Sequence, residues 1–102
     1  MPAGPYSEKT RWSADKDGLI VRPMEDVLLV FHKLSGDTHI LNFLSAAIVD
    51  VLSQGSETFA SAEPKILRHT SLTAEDCPPR LIKETILLLD DIGLVRPQAP
   101  GL

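Results

Sequence analysis

The sequence predicts one α+β domain in which three short strands precede three helices. Three runs rich in β-branched and aliphatic residues lie between positions 19 and 41, and apolar residues at helical spacing follow them. Strands and helices grouped in this order along the chain are typical of the α+β class. A chain of 102 residues is long enough for one hydrophobic core but too short for two.

The three predicted strands span residues 19–21, 27–31 and 38–41. Pro23 closes the first run. Gly36, which can take a positive φ, lies in the turn between the second and third runs. These two runs therefore predict a β-hairpin, whose register the sequence leaves open.

The first two predicted helices follow the hairpin. Asn42 is a favoured N-cap residue for the first helix, and Gly55 ends it. The apolar residues of this helix recur at the spacing of one helical face: Leu44, Ala47, Ile48, Val51 and Leu52. Ser61 is the predicted N-cap of a shorter second helix, which places Pro64 in the first turn, where its missing N–H costs little.

The third helix is predicted to open at residues 77–79 and to reach Asp91, with Gly93 as its C-terminal cap. Projected at about 100° per residue, its core-facing stripe contains Leu81, Ile82, Thr85, Leu88, Leu89 and Ile92. Ile86 falls at the flank of this stripe, and Leu87 falls on the face opposite to it. Leu87 is therefore either an ordinary exposed leucine or part of a groove for a partner.

Charge and composition disfavour nucleic acid and membranes as partners. The formal net charge is −4, whereas a phosphate backbone is bound mainly by clustered Lys and Arg. No run approaches the roughly 18 consecutive apolar residues of a membrane helix, and residues 1–11 lack the pattern of a secretory signal. The single cysteine, Cys77, is consistent with a reducing compartment, so we expect a cytoplasmic protein.

Proline, glycine and polar residues concentrate near both ends of the chain. This composition predicts a flexible N-terminal segment over residues 1–11 and a C-terminal tail over residues 98–102. Residues 12–97 form the predicted domain.

No arrangement of reactive side chains predicts catalysis, a metal site or a cofactor. Cys77 precedes a helix N-terminus, which lowers a thiol pKa, but the spacing identifies neither a base nor an oxyanion donor. His32 and His39 lie on the two arms of the hairpin and oppose each other only if the loop has two residues. His69 and the acidic pairs at 75–76 and 90–91 are interpreted as solvated side chains.

Several short motifs occur in an order that resembles one protein family. The motifs are Ser35-Gly36-Asp37-Thr38-His39 with Leu41, Ala46-Ala47 with Leu52, and the ending Leu89-Asp90-Asp91-Ile92-Gly93-Leu94-Val95, with Trp12 upstream of the first strand. Over residues 12–97 the chain thereby resembles the PqqD-like family of peptide chaperones, the recognition elements of ribosomally made, modified peptides. Within that family it is similar to the branch associated with HPr-kinase-related systems.

The resemblance implies a winged-helix-like fold in which a three-stranded antiparallel sheet packs on three helices. It also implies a non-catalytic function: the leader segment of a precursor peptide adds as a strand to the third strand, touches the third helix and is presented to a peptide-modifying enzyme. The implied contact positions are Thr38, His39, Ile40, Leu41, Arg80, Lys83, Ile86 and Leu87. On this interpretation Leu87→Glu is expected to spare the fold and to weaken peptide binding.

Two other functions stay open at this level. A winged-helix DNA-binding regulator places a similar helix in the major groove, although the acidic residues of the third helix disfavour phosphate contacts. A homodimer is the other alternative, in which the open strand edge and Leu87 meet their copies across a two-fold axis.

Overall fold

The first helix packs on one face of a three-stranded antiparallel sheet, and the other two helices pack on the first and on each other. This is the winged-helix-like α+β fold that the sequence predicts. The computed structural model describes residues 6–25 and 27–98. The strands are β1 (Trp12–Ser13), β2 (Leu19–Met24), β3 (Val27–His32), β4 (Thr38–Leu41) and β5 (Arg96–Pro97), and a 3-10 turn (Lys16–Gly18) precedes β2. The helices are α1 (Phe43–Gln54), α2 (Phe59–Thr70) and α3 (Pro79–Asp91).

The main sheet has the strand order β2-β3-β4. Val30 of β3 pairs with Val21 of β2 on one side and with His39 of β4 on the other. Gly36, at φ 78°, forms the turn that joins β3 to β4, as predicted from its freedom to take a positive φ. Leu19, Val30 and Leu41 are buried on the face that meets the helices.

Helix α1 is the central element of the core. The Asn42 side chain accepts a hydrogen bond from the Ser45 N–H at 2.8 Å, and Gly55 is the C-terminal cap, so both predicted ends are confirmed. Ile48 and Leu52 are almost fully enclosed on this helix. Helix α1 contacts the other two helices and three of the five strands, which explains its apolar character on several sides.

The predicted start of the second helix is wrong by one turn. Helix α2 begins at Phe59, and Thr58 rather than Ser61 is its N-cap. The Thr58 Oγ1 accepts the Ser61 N–H at 3.1 Å, while the Ser61 Oγ accepts the Thr58 N–H at 2.9 Å. This reciprocal capping box satisfies two N–H groups of the first turn. Pro64 consequently lies in the second turn, where its ring removes the backbone bond to the Ala60 carbonyl.

The face of α3 that meets the core also differs from the prediction. Ile86, assigned to the flank, has 0% exposure, whereas Leu88, assigned to the core stripe, is 60% exposed. The buried residues are Ile82, Ile86 and Leu89, which form a narrow stripe at spacings of four and three. Leu87 is half-buried and packs against the core. The expectation that Leu87 lies outside the core is therefore wrong.

This orientation of α3 predicts opposite outcomes for two neighbouring substitutions. Leu87→Glu should lower the free energy of unfolding by about 1–3 kcal/mol, because it places a charge against apolar neighbours. Leu88→Glu should change stability by less than about 0.5 kcal/mol, because that side chain is exposed. Urea denaturation of both variants measures the difference. Equal losses in the two variants would contradict the orientation of α3.

A second, two-stranded sheet joins the two ends of the described chain. Trp12 of β1 pairs with Pro97 of β5, and Trp12 also exchanges backbone hydrogen bonds with Glu57 at 2.8 and 3.0 Å. The Tyr6 hydroxyl donates to Asp90 at 2.7 Å, and the Tyr6 ring lies 4.8 Å from the Trp12 ring. Residues 6–11, which the sequence assigns to a flexible segment, therefore contact the domain. Residues 1–5 of that segment and 99–102 of the predicted tail lie outside the described residues.

Glu57 is a buried carboxylate with a cationic partner. Lys65 Nζ lies 2.5 Å from Glu57 Oε2, and the Ser61 hydroxyl donates to Oε1 at 2.8 Å. The hydrogen bond from Lys65 is the main reason why the pKa of Glu57 lies below its ordinary value of 4.5. Asp50 has a lowered pKa for the same reason, with Lys16 as its main partner.

These lowered pKa values predict a loss of stability in acid. A carboxyl group whose folded-state pKa is lowered contributes stability above its unfolded-state pKa, and that contribution is lost as the pH falls through the folded-state pKa. We therefore expect the free energy of unfolding to decline below pH 4.5. Glu57→Gln should be less stable near neutral pH and less sensitive to acid, with part of the sensitivity retained by Asp50. Urea denaturation at about pH 7 and about pH 3 tests this; equal acid sensitivity of the two proteins would contradict it.

Candidate functional site

The outer edge of β4 presents backbone groups that have no strand beside them. Strand β4 is at one end of the sheet order, so one of its edges is open among the described residues. The His32 N–H donates to the Asp37 carbonyl at 2.8 Å, which sets the phase of the β3–β4 ladder. Along an antiparallel strand, successive residues direct their backbone groups to opposite edges. The N–H and C=O groups of His39 are therefore directed at β3. Those of Thr38 and Ile40 are directed at the open edge.

The opposite edge, on β2, is blocked. The same alternation directs the backbone groups of Leu19, Val21 and Pro23 away from β3. Pro23 has no N–H, and the Leu19 N–H donates to the Lys16 carbonyl. Only the Val21 N–H is left on that edge among the described residues of β2. A proline on an edge strand discourages the pairing of a further strand, so β4 is the edge that accepts one more readily.

The four predicted contact residues of β4 differ in what they present. Thr38 and Ile40 expose both their backbone groups and their side chains, and Ile40 is 70% exposed. Leu41 is buried, so its side chain belongs to the core and is not part of a surface site. His39 is half-buried, and its Nε2 is enclosed without a hydrogen-bond partner among the described residues. The site on β4 is therefore built mainly from Thr38 and Ile40.

Of the four predicted contact residues of α3, two are exposed. Arg80 lies 3.7 Å from Glu84 of the same helix, and the Lys83 amine lies 3.6 Å from Glu8. Ile86 has no exposed surface, so its predicted place in the groove is wrong. Leu87 is half-buried against the core, so little of it is left for a partner.

The exposed apolar side chains of α3 lie on a flank that the sequence interpretation assigned to the core. Leu81 and Leu88 are both exposed and are separated by two helical turns. At about 100° per residue, Leu88 lies about 140° around the helix from Lys83. The Lys83 flank meets Glu8 and the Phe59 ring, so Leu81 and Leu88 are on the side away from these contacts.

The outer face of the sheet is also largely apolar. In the paired register, its outward positions are Ile20, Arg22, Met24, Val27, Leu29, Phe31, Thr38 and Ile40. Only Arg22 and Thr38 in this set are polar. An exposed apolar surface of several neighbouring side chains is typical of an interaction site. It is continuous with the open edge, because Ile40 belongs to both.

The three histidines and Cys77 form no metal-binding cluster among the described residues. His39 pairs with Val30 and not with His32, so the two histidines do not oppose each other. No group of three or more metal-ligating side chains occurs among residues 6–25 and 27–98. Burial raises the pKa of the Cys77 thiol, which opposes formation of a thiolate at this helix entry. His69, interpreted from the sequence as solvated, is exposed, and its Nε2 lies 2.7 Å from Asp50 Oδ2.

Comparisons with protein-family models, with curated proteins and with solved structures give no match to this chain. No helix in the described part of the chain is long and apolar enough to cross a membrane.

Proposed function

We propose that this chain is a non-catalytic peptide-binding domain of the PqqD-like type. On this proposal it holds the leader segment of a ribosomally made precursor peptide and presents it to a peptide-modifying enzyme. The open edge of β4 is the main support for the proposal, because strand addition requires an edge whose backbone groups are unpaired. The contrast with β2, where Pro23 removes an outward N–H, favours one edge over the other.

The mechanism is recognition by backbone pairing. The N–H and C=O groups of Thr38 and Ile40 would bond to an extended peptide laid beside β4, which gives affinity that tolerates many sequences. Selectivity would come from side-chain contacts made where the bound peptide extends from that edge to α3. We take Ile40 on the sheet, and Leu81 and Leu88 on α3, as the apolar contacts in place of Ile86 and Leu87. Arg80 is exposed and lies beside Glu84, so it would exchange that partner for a carboxylate of the leader.

Electrostatics favour a peptide over DNA as the partner of α3. Arg80 has Glu84 beside it, and Lys83 has Glu8 beside it, so both cations of the helix have acidic neighbours. Two cations beside acidic residues are too few to release many counterions from a phosphate backbone, so they contribute little to DNA affinity. The formal net charge of −4 acts in the same direction.

An NMR titration of the labelled protein tests this function directly. Peptides encoded by short reading frames beside its gene are the ligands, and duplex DNA is the comparison. We expect saturable shifts of backbone amides at residues 38–41 and around Leu88 with one of the peptides. Shifts with duplex DNA and none with any such peptide would overturn the proposal in favour of a regulator.

Leu88→Glu tests the part assigned to α3. It should weaken peptide binding by about 1–3 kcal/mol, because an apolar contact at the centre of a binding site becomes a buried charge. Leu34→Glu is the matched control, since Leu34 is 92% exposed in the hairpin turn and outside the proposed site. Isothermal titration calorimetry with the same peptide measures both. Equal affinities of folded Leu88→Glu and Leu34→Glu would show that Leu88 does not contact the peptide.

Formation of a homodimer would compete with peptide binding for the β4 edge. Two β4 strands that paired across a two-fold axis would engage the same Thr38 and Ile40 N–H groups. A dimer that dissociates as the peptide binds is compatible with the proposal, whereas a dimer that persists with the peptide bound contradicts pairing at one shared edge. Sedimentation velocity distinguishes these outcomes. We also propose a cytoplasmic location, supported by the single cysteine of the chain.

A further inference from the structure

A cleft of about 570 Å³ lies between the inner face of the sheet and helices α1 and α2. Buried apolar residues line both of its walls: Val30, Leu41, Ala47 and Val49. Val21 and Phe43 also line it and are exposed, so they lie where the cleft opens to solvent. Its volume and its apolar lining are typical of small-molecule sites in proteins.

One end of the cleft is polar and is formed by Lys16, Asp50 and His69. Asp50 Oδ1 pairs with the Lys16 amine, and Oδ2 lies 2.7 Å from His69 Nε2 and 3.1 Å from Gln54 Nε2. Both oxygens of the carboxylate therefore have partners already. The ammonium group of Lys16 has three N–H donors, of which Asp50 accepts one, and its side chain is half exposed.

We propose that this cleft binds a small amphipathic carboxylate. The apolar body of the ligand lies against Val30, Leu41 and Ala47, and its carboxylate accepts hydrogen bonds from Lys16. The Lys16 ammonium keeps two of its three N–H donors and carries a positive charge, so an anionic head group is complementary to it. A cationic head group would instead be repelled by Lys16 and would compete with Lys16 and His69 for the Asp50 carboxylate, which makes it the less favoured partner.

The cleft and the proposed peptide site use different parts of the sheet. Strand addition uses the backbone groups of Thr38 and Ile40 at the β4 edge, whereas the cleft is lined by side chains on the inner face. The carboxylate site therefore does not rest on the peptide-binding proposal, and either one can fail without the other.

Three probes that share one apolar chain test the proposal: octanoate, octylamine and octanol. Each is titrated into the full, labelled chain at concentrations below micelle formation, and amide shifts are recorded. We expect saturable shifts at residues 28–30 and 46–50 with octanoate. Its dissociation constant should be about tenfold lower than that of octylamine, as expected for one charge-assisted hydrogen bond. Equal binding of the two probes, absence of saturable shifts, or shifts confined to Phe31 and Ile40 on the outer face would overturn the proposal.

Two substitutions with matched controls extend the test. Lys16→Gln should abolish the advantage of octanoate over octanol, whereas Lys9→Gln, at an exposed lysine outside the cleft, should not. Ala46→Phe should fill the cleft and weaken all three probes, whereas Ala60→Phe, on the exposed side of α2, should not. If Ala46→Phe does not fold, the Lys16→Gln variant alone tests whether the cleft binds the carboxylate. Octanoate affinity that is unchanged in the folded Lys16→Gln variant overturns the assignment of the head group.

Discussion

Trp12→Ala is expected to lower the free energy of unfolding by about 3–5 kcal/mol, the range for removal of a large buried aromatic side chain. Trp12 has 0% exposure and lies between two other aromatic rings, 4.8 Å from Tyr6 and 5.5 Å from Phe59. The alanine would leave a cavity that these rings cannot close without moving. A loss of this size is a large fraction of the stability of a small domain.

The effect should extend to both ends of the chain. Trp12 belongs to β1, which pairs with β5, and its backbone groups bond to Glu57 just before α2. Loss of the ring therefore weakens the packing that holds residues 6–11 and Arg96–Pro97 against the domain. Amide hydrogen exchange should be faster in the Trp12→Ala variant at Ser13, Arg96 and Gln98 than in the wild-type protein.

Urea denaturation of Trp12→Ala and Phe43→Ala measures this prediction with a matched control. Phe43 is an aromatic residue that is 54% exposed, so its removal should cost less than about 1 kcal/mol. Trp12→Phe should retain more stability than Trp12→Ala, because a smaller ring still fills part of the space. Similar losses for Trp12→Ala and Phe43→Ala would contradict the role given to Trp12.

Local signals explain why most elements could be predicted from the sequence. Asn42 and Gly55 mark the ends of α1, and the Gly93 backbone, at φ 85°, takes the conformation expected after the end of α3. The sequence does not fix the start of α2, because Thr58 and Ser61 are both good N-cap residues. Only their reciprocal hydrogen bonds show that Thr58 is the cap and Ser61 the third residue of the helix.

Features that depend on distant contacts could not be predicted in the same way. Helix α3 has apolar residues on most of its sides, so periodicity alone does not decide between Ile86 and Leu88 as the core residue. Strands β1 and β5 have two residues each and lie more than 80 positions apart, so neither gives a local signal. The open edge of β4 follows from the strand order. The strand order alone does not show that the edge of β2 lacks N–H donors, because this depends on the register that directs the Pro23 nitrogen outward.

Ile40→Pro is expected to weaken peptide binding by about 1–3 kcal/mol, because it removes an outward N–H and leaves a carbonyl of the bound peptide without a donor. The Ile40 N–H is directed away from β3, so the substitution spares the ladder that holds β4 in the sheet. Ile40→Ala separates the two contributions of this residue. It removes the exposed side chain but keeps the N–H, and should therefore bind more tightly than Ile40→Pro.

Val21→Pro on the opposite edge is the control for the proline itself. The Val21 N–H is also directed outward, so this variant imposes the same ring without breaking the β2–β3 ladder. Calorimetry with the cognate peptide should show near-normal affinity for Val21→Pro and a loss for Ile40→Pro, with circular dichroism confirming that both are folded. If the two prolines weaken binding equally, the peptide does not discriminate between the edges, and strand addition at β4 is wrong. If Ile40→Pro loses more affinity than both Val21→Pro and Ile40→Ala, the backbone of β4 is the binding element, because Ile40→Ala removes the same side chain but keeps the N–H.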